Sequence, residues 1–139
     1  MNGKKVYRLK ERDDMERAVF GANEFFSQKA FITGFRGIEN VRIGHLKGTN
    51  LKIVEVWFNP WKVSYDEIVD LFFDLHDPTS REGQLLKNQS FIFFSDMNQL
   101  TVAKQKKNEL QHLFNDEIIT EITPVWEHIN SLEEIKLIS

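Results

Sequence analysis

A chain of 139 residues, 41% hydrophobic and 28% charged, is long enough to bury one core and sits too near the globular average to be disordered. A formal net charge of −3 lacks the basic excess that binding a phosphate backbone requires, so no nucleic-acid partner is expected. The cysteine count is zero, which excludes disulfides, thiolate metal sites and every mechanism that uses a protein thiol.

Residues 1–14 are polar and mixed in charge and are expected to form a flexible lead-in to a single domain over 15–139. No apolar signal segment follows Met1-Asn2-Gly3-Lys4-Lys5 and no run is long enough to span a bilayer, so a cytoplasmic protein with no membrane partner is expected. Positions 16–21 read as a strand. The stretch from Val19 to Phe26 then gives a small-residue corner and a helix over 24–33, with Phe25, Phe26, Ala30 and Phe31 close to one face and Gly34 as a left-handed stop. That reading puts Glu24 at a helix start, where unpaired N–H groups stabilise an anion. Two uses follow for it: a reactive group facing a pocket, or an ordinary complement to the helix dipole.

From Gly37 to Leu46 the apolar residues alternate, Lys47-Gly48-Thr49-Asn50 supplies a turn, and Leu51 to Phe58 is apolar on both faces. Together they predict a hairpin closed by Asn59-Pro60. Ser64 and Glu67 have the spacing of a capping box, opening a helix that buries Ile68, Leu71, Phe72 and Leu75. His76 is expected to cap its far end as an imidazolium, and 79–87 to form a loop. Ser90 to Phe94 reads as an inner strand. Asp96 with Gln99 caps a third helix with Leu100, Ala103, Leu110, Leu113 and Phe114 inward and Lys104, Lys106 and Lys107 on a solvated face. Residues 117–123 alternate as an edge strand, and an amphipathic tail (Ile129, Leu132, Ile135, Leu137) follows Pro124, Val125 and Trp126. Trp57, Trp61 and Trp126 are expected in the core or at a pocket rim. His45, His76, His112 and His128 lack ligand spacing, so no metal is expected. The order of elements is the split βαβ, an α+β ferredoxin-like core (βαββαβ) with an added helix and edge strand.

The block Ile53-Val54-Glu55-Val56-Trp57-Phe58-Asn59-Pro60, then Val63 to Ile68, Phe72-Phe73 and His76-Asp77-Pro78-Thr79, resembles the type A peptide methionine sulfoxide reductases. Phe20-Gly21-Ala22 before Phe25-Phe26 is similar to that family's Phe-Gly-Ala-Gly-Cys-Phe-Trp, and Ile119-Thr120-Glu121-Ile122 to its late strand. The resemblance covers roughly residues 16 to 124. It implies reduction of methionine sulfoxide by thiolate attack on sulfur, assisted by a glutamate, two tyrosines and an aspartate.

Carried over by position, the nucleophilic cysteine falls on Glu24, or on Asn23 if the corner shifts by one. The protonating glutamate falls on Lys52, one tyrosine on His45, and the second is lost at Asn88. Phe25 and Phe26 stand where the family has Phe-Trp. Sulfoxide reduction of this kind needs a soft nucleophile that becomes a sulfenic acid and is recycled by exchange, which a carboxylate cannot do. The resemblance therefore implies a family member without thiol-dependent activity and without a cofactor. Such a chain would bind a methionine-like side chain, a peptide or a protein through Phe25, Phe26, His45 and Asn88. The alternative is an enzyme of acid–base chemistry using Glu24 with His45 or Lys52. If the strand start and the helix start adjoin, Glu24 and Lys52 are expected to pair.

Overall fold

A computed structural model describes residues 15–79, 89–128 and 135–137. The lead-in at 1–14, most of the 79–87 loop, Asn88, Ile129 and Leu132 lie outside the described residues. The elements are β1 (Glu16–Ala22), α1 (Ala30–Thr33), β2 (Ile38–Leu46), β3 (Lys52–Phe58), α2 (Tyr65–Asp74), β4 (Ser90–Phe94), α3 (Met97–Gln111), β5 (Glu121–Pro124), α4 (Val125–His128) and β6 (Ile135–Leu137). They form one sheet in the order β5-β4-β1-β3-β2-β6. β1 lies antiparallel between β3 and β4, and β5 runs parallel to β4. The class is α+β, and the inner order β4-β1-β3-β2 is compatible with the ferredoxin-like arrangement. The added helix is α3 and the edge strand is β5.

Alternation along the strands divides the apolar residues between two faces. Ala18, Phe20 and Ala22 of β1 and Val54, Val56 and Phe58 of β3 pack with Ile68, Val69 and Phe72 of α2 and Ala103 of α3. Val19, Ile53 and Phe93 face the other way, with Leu51 and Val125. Phe20 and Phe72 stack at 4.6 Å between ring centroids, which fixes α2 over the sheet. On the second face Glu55 is a buried charge. It accepts from Arg17 at 3.3 Å and from the Trp57 indole at 3.3 Å, with Arg42 at 3.7 Å, so three strands share one carboxylate.

The hairpin, its Gly48 turn at φ +80° and the end of β3 before Asn59 are as the sequence predicts. Ser64 caps α2 by accepting the Glu67 N–H at 3.1 Å, and Asp96 caps α3 by accepting the Gln99 N–H at 2.8 Å. Five expectations are corrected. The first helix is one turn, Ala30–Thr33, and 23–29 is irregular, with the Phe26 N–H bonded to the Leu75 carbonyl (2.7 Å). Gly34 is right-handed (φ −68°), and its need for glycine is steric: a Cβ would lie 2.5 Å from the Ala30 oxygen and 3.1 Å from Leu71. Leu113 falls beyond the end of α3 and is exposed. Lys106 is buried between helices, 3.1 Å from both Asp66 and Asp70 of α2, while Lys107 donates to the Thr120 carbonyl at 2.8 Å. Trp61 and Trp126 are exposed, only Trp57 being half-buried. The tail supplies β6, which pairs antiparallel with β2 at Gly44, His45 and Leu46.

Replacing Gly34 by alanine is expected to lower stability by about 1–3 kcal/mol, since the added methyl meets backbone that cannot yield. A urea midpoint equal to that of the parent protein would show the close approach to be relaxed in solution.

Candidate functional site

Four strand ends line up across the sheet. Ala22 of β1 is paired with Ser90 of β4 on one side and with Lys52 of β3 on the other, and Lys52 is paired with His45 of β2. Paired residues project to the same side of a sheet, and Ala22 belongs to the helix-covered core, so Lys52 and His45 sit on that face at the same end. Neighbouring strands are roughly 4.8 Å apart, so the row from Ser90 to His45 is about 14 Å long. The chain leaves this row at Ala22 and runs into the corner.

The corner is held from three directions. The Asn23 side chain accepts the Gln89 N–H and donates to the Gln89 side chain at 3.3 Å, tying the corner to the start of β4. The Phe26 N–H bond to Leu75 ties it to the end of α2. Phe25 is buried, edge-on to Phe31 at 5.3 Å and 6.2 Å from Phe72. Between these anchors the Glu24 side chain is exposed, as is that of Phe26, at 71%.

Under the corner lies a buried polar chain. His76, 3% exposed, places Nδ1 2.7 Å from the Phe72 carbonyl and Nε2 2.7 Å from the Ser90 hydroxyl. A carbonyl only accepts, so Nδ1 carries the hydrogen and Nε2 accepts from Ser90. Ser90 Oγ, its hydrogen spent on the imidazole, then accepts from the Thr120 hydroxyl at 2.7 Å. Burial outweighs the Phe72 bond and the nearby Asp77 carboxylate and pushes the His76 pKa down to about 4. His76 therefore caps α2 as expected, but as a neutral ring. Beyond it the Asp77 carboxylate accepts from the Thr79 N–H (3.0 Å) and hydroxyl (2.6 Å), fixing the turn.

Glu24, Lys52 and His45 thus come to one end of the sheet, while Asn88 lies outside the described residues. Two expectations change. Glu24 is not at a helix start, since α1 begins at Ala30. Nor does it pair with Lys52: among the described residues the ion pairs join Arg17 and Arg42 to Glu55 and Lys106 to its three carboxylates. The Lys52 cross-strand partner is Ala22, two residues short of Glu24, where the strand has already ended. Sequence reasoning missed the Asn23 clamp and the roles of Ser90 and Thr120. Ser90 at the head of an otherwise apolar inner strand is a signal for a satisfied buried hydroxyl.

Residues 49–134 match the family model described as peptide methionine sulfoxide reductase. A peptide methionine sulfoxide reductase of a Nostoc species is 30% identical, the match spanning 86% of this chain and 86% of that protein. The chain belongs to the peptide methionine sulfoxide reductase family. A relative from Methanothermobacter thermautotrophicus is 31% identical over 78% of this chain and 77% of its own. Among solved structures, Saccharomyces cerevisiae Mxr1 in an unusual oxidized form superposes with a TM-score of 0.65 over 81% of this chain and 73% of its own, at 21% identity. Mxr1 in complex with Trx2 gives 0.63 at 23% identity, over 81% and 77%. These structures support the fold. In this member of the reductase family the sequence holds no cysteine.

The His76 shift makes a pH prediction. The unfolded ring titrates near 6.5 and the folded ring near 4, so the unfolded state binds the extra proton between them. The contribution is complete above pH 6.5 and is lost as pH falls towards 4, amounting to about 3 kcal/mol. Urea midpoints measured from pH 7.5 to 4 should fall more steeply for the parent protein than for His76→Gln. Parallel curves would mean that the ring is not buried neutral.

Proposed function

We propose that this chain is a catalytically silent member of the reductase family, retained to bind a peptide or protein at the old corner. The observation that carries the reading is a sequence with no cysteine, so nothing can accept the sulfoxide oxygen and be recycled; the resemblance puts Glu24, or Asn23 if the corner shifts by one, at the family's nucleophile position. Lys52 at the position of the family's acid speaks for the same loss. What the corner still offers is the exposed ring of Phe26 beside the exposed carboxylate of Glu24, on a backbone anchored by Asn23 and Leu75. Phe25 faces the core, so the binding aromatic is Phe26 alone, with His45 and Lys52 on the adjoining row. A methionine-bearing peptide fits this chemistry, its thioether against the ring. No cofactor is called for.

A protein partner accords with the yeast relative solved with Trx2. Without cysteine, any such contact here would be non-covalent. Among the described residues no helix is long and apolar enough to cross a membrane; a cytoplasmic location is part of the proposal and does not follow from that. The acid–base alternative has less support, because Glu24 makes no hydrogen bond or ion pair with His45 or Lys52 among the described residues.

The test has two arms. Purified protein with dithiothreitol and a methionine sulfoxide peptide should show no turnover, and turnover that vanishes in Glu24→Gln would replace silence with another chemistry. In a calorimetric titration with methionine peptides, Phe26→Ala should weaken binding by about 1–2 kcal/mol, as for an exposed aromatic anchor. Equal affinity in the two proteins would remove Phe26 from the site.

A further inference from the structure

Away from the corner, an open groove of about 770 Å³ lies between α3 and the segment leading into and along β5. One wall carries Lys104, Lys107 and Asn108, and the other is the extended stretch 117–123. Among the described residues β5 is the last strand of the sheet and pairs with β4 alone, on its inner side. Just before it, α3 and the Pro78 turn satisfy the backbone one group at a time. Gln111 takes the Ile118 N–H (2.8 Å) and donates to the Asp116 carbonyl (3.0 Å), Ile119 N–H goes to Pro78 (2.8 Å), and Lys107 covers the Thr120 carbonyl (2.8 Å). From Glu121 to Thr123 no side chain of α3 does this, and an edge strand presents a row of backbone donors and acceptors.

We infer that the outer edge of β5 is a strand-addition site for a short extended peptide segment of another protein carrying acidic side chains towards α3. Ile122 packs into the helix-side core, so Glu121 and Thr123 project to the opposite face. A strand added alongside keeps that alternation. Its helix-side residues come beside the exposed Lys104, and its other residues beside the exposed Glu121. Acid is therefore favoured at alternate positions and disfavoured between them. A second copy of this chain is the poorer occupant, because antiparallel pairing about Ile122 would bring the two sets of α3 lysines to the same face. The strand has four residues and ends in Pro124, which has no N–H, so the added segment is short and its binding weak.

The probe is a capped heptapeptide alternating glutamate and threonine, titrated into the isotope-labelled full chain and followed by amide shifts. Shifts confined to residues 119–123, lost when the peptide backbone is N-methylated, are expected. Lys104→Glu, on the exposed face of α3, should weaken the glutamate peptide by about fivefold and strengthen its lysine counterpart. Each of three results would overturn the proposal: equal binding by the N-methylated peptide, indifference to Lys104→Glu with the fold intact by its melting curve, or no shift at 119–123 at millimolar peptide. Concentration-dependent dimerisation through the same amides without peptide would assign the edge to a second copy instead.

Discussion

A neutral imidazole with both nitrogens spoken for holds the corner end of the sheet together. His76 is buried beneath the corner, and a buried polar ring is tolerated only when its hydrogen-bonding capacity is met. Here the carbonyl of Phe72 fixes the tautomer, the tautomer makes Ser90 a donor, and that in turn makes Thr120 a donor. One directed chain thus joins the end of α2, the start of β4 and the lead into β5. Phe25 rests 5.9 Å from the same ring, so the corner inherits its position from this network.

The core and the corner rest on different residues. The core depends on Phe20, Phe72 and their neighbours, and the corner on Asn23, Phe25 and the backbone of Phe26. Position 24 projects to solvent between fixed points. An exposed side chain away from such anchors contributes little to stability, so exchange there is controlled by chemistry rather than by packing.

Much of the fold was legible in the chain because local rules and tertiary structure agreed. Alternation from Gly37 to Leu46, the Gly48 turn and Pro60 delimit the hairpin without help from elsewhere, and Ser64 and Asp96 announce their helices. The failures lie where long-range contacts overrode local pattern. Phe25, Phe26, Ala30 and Phe31 have helical spacing, yet the helix is one turn, and Phe25 packs on Phe31 and Phe72 from an irregular segment. Lys106 reads as a solvated lysine because its partners Asp66 and Asp70 lie 40 and 36 residues earlier. The charge state of His76 was unreadable for the same reason, since burial is a property of the folded arrangement. At the site, the residue types at 24, 45 and 52 were plain from the sequence. Their gathering at one end of the sheet, and the failure of Glu24 and Lys52 to pair, needed the strand register.

The three indoles occupy unlike settings. Trp61 and Trp126 stand largely in water, while Trp57 is half-buried with its N–H on Glu55 and the Arg17 guanidinium 5.8 Å from its ring. Two of the three chromophores are therefore largely solvated, the Trp126 ring lying edge-on to Phe94 at 5.8 Å. Tryptophan fluorescence will follow loss of the Glu55 cluster on the second face of the sheet and will be nearly blind to events at the corner, where the aromatic side chains are phenylalanines.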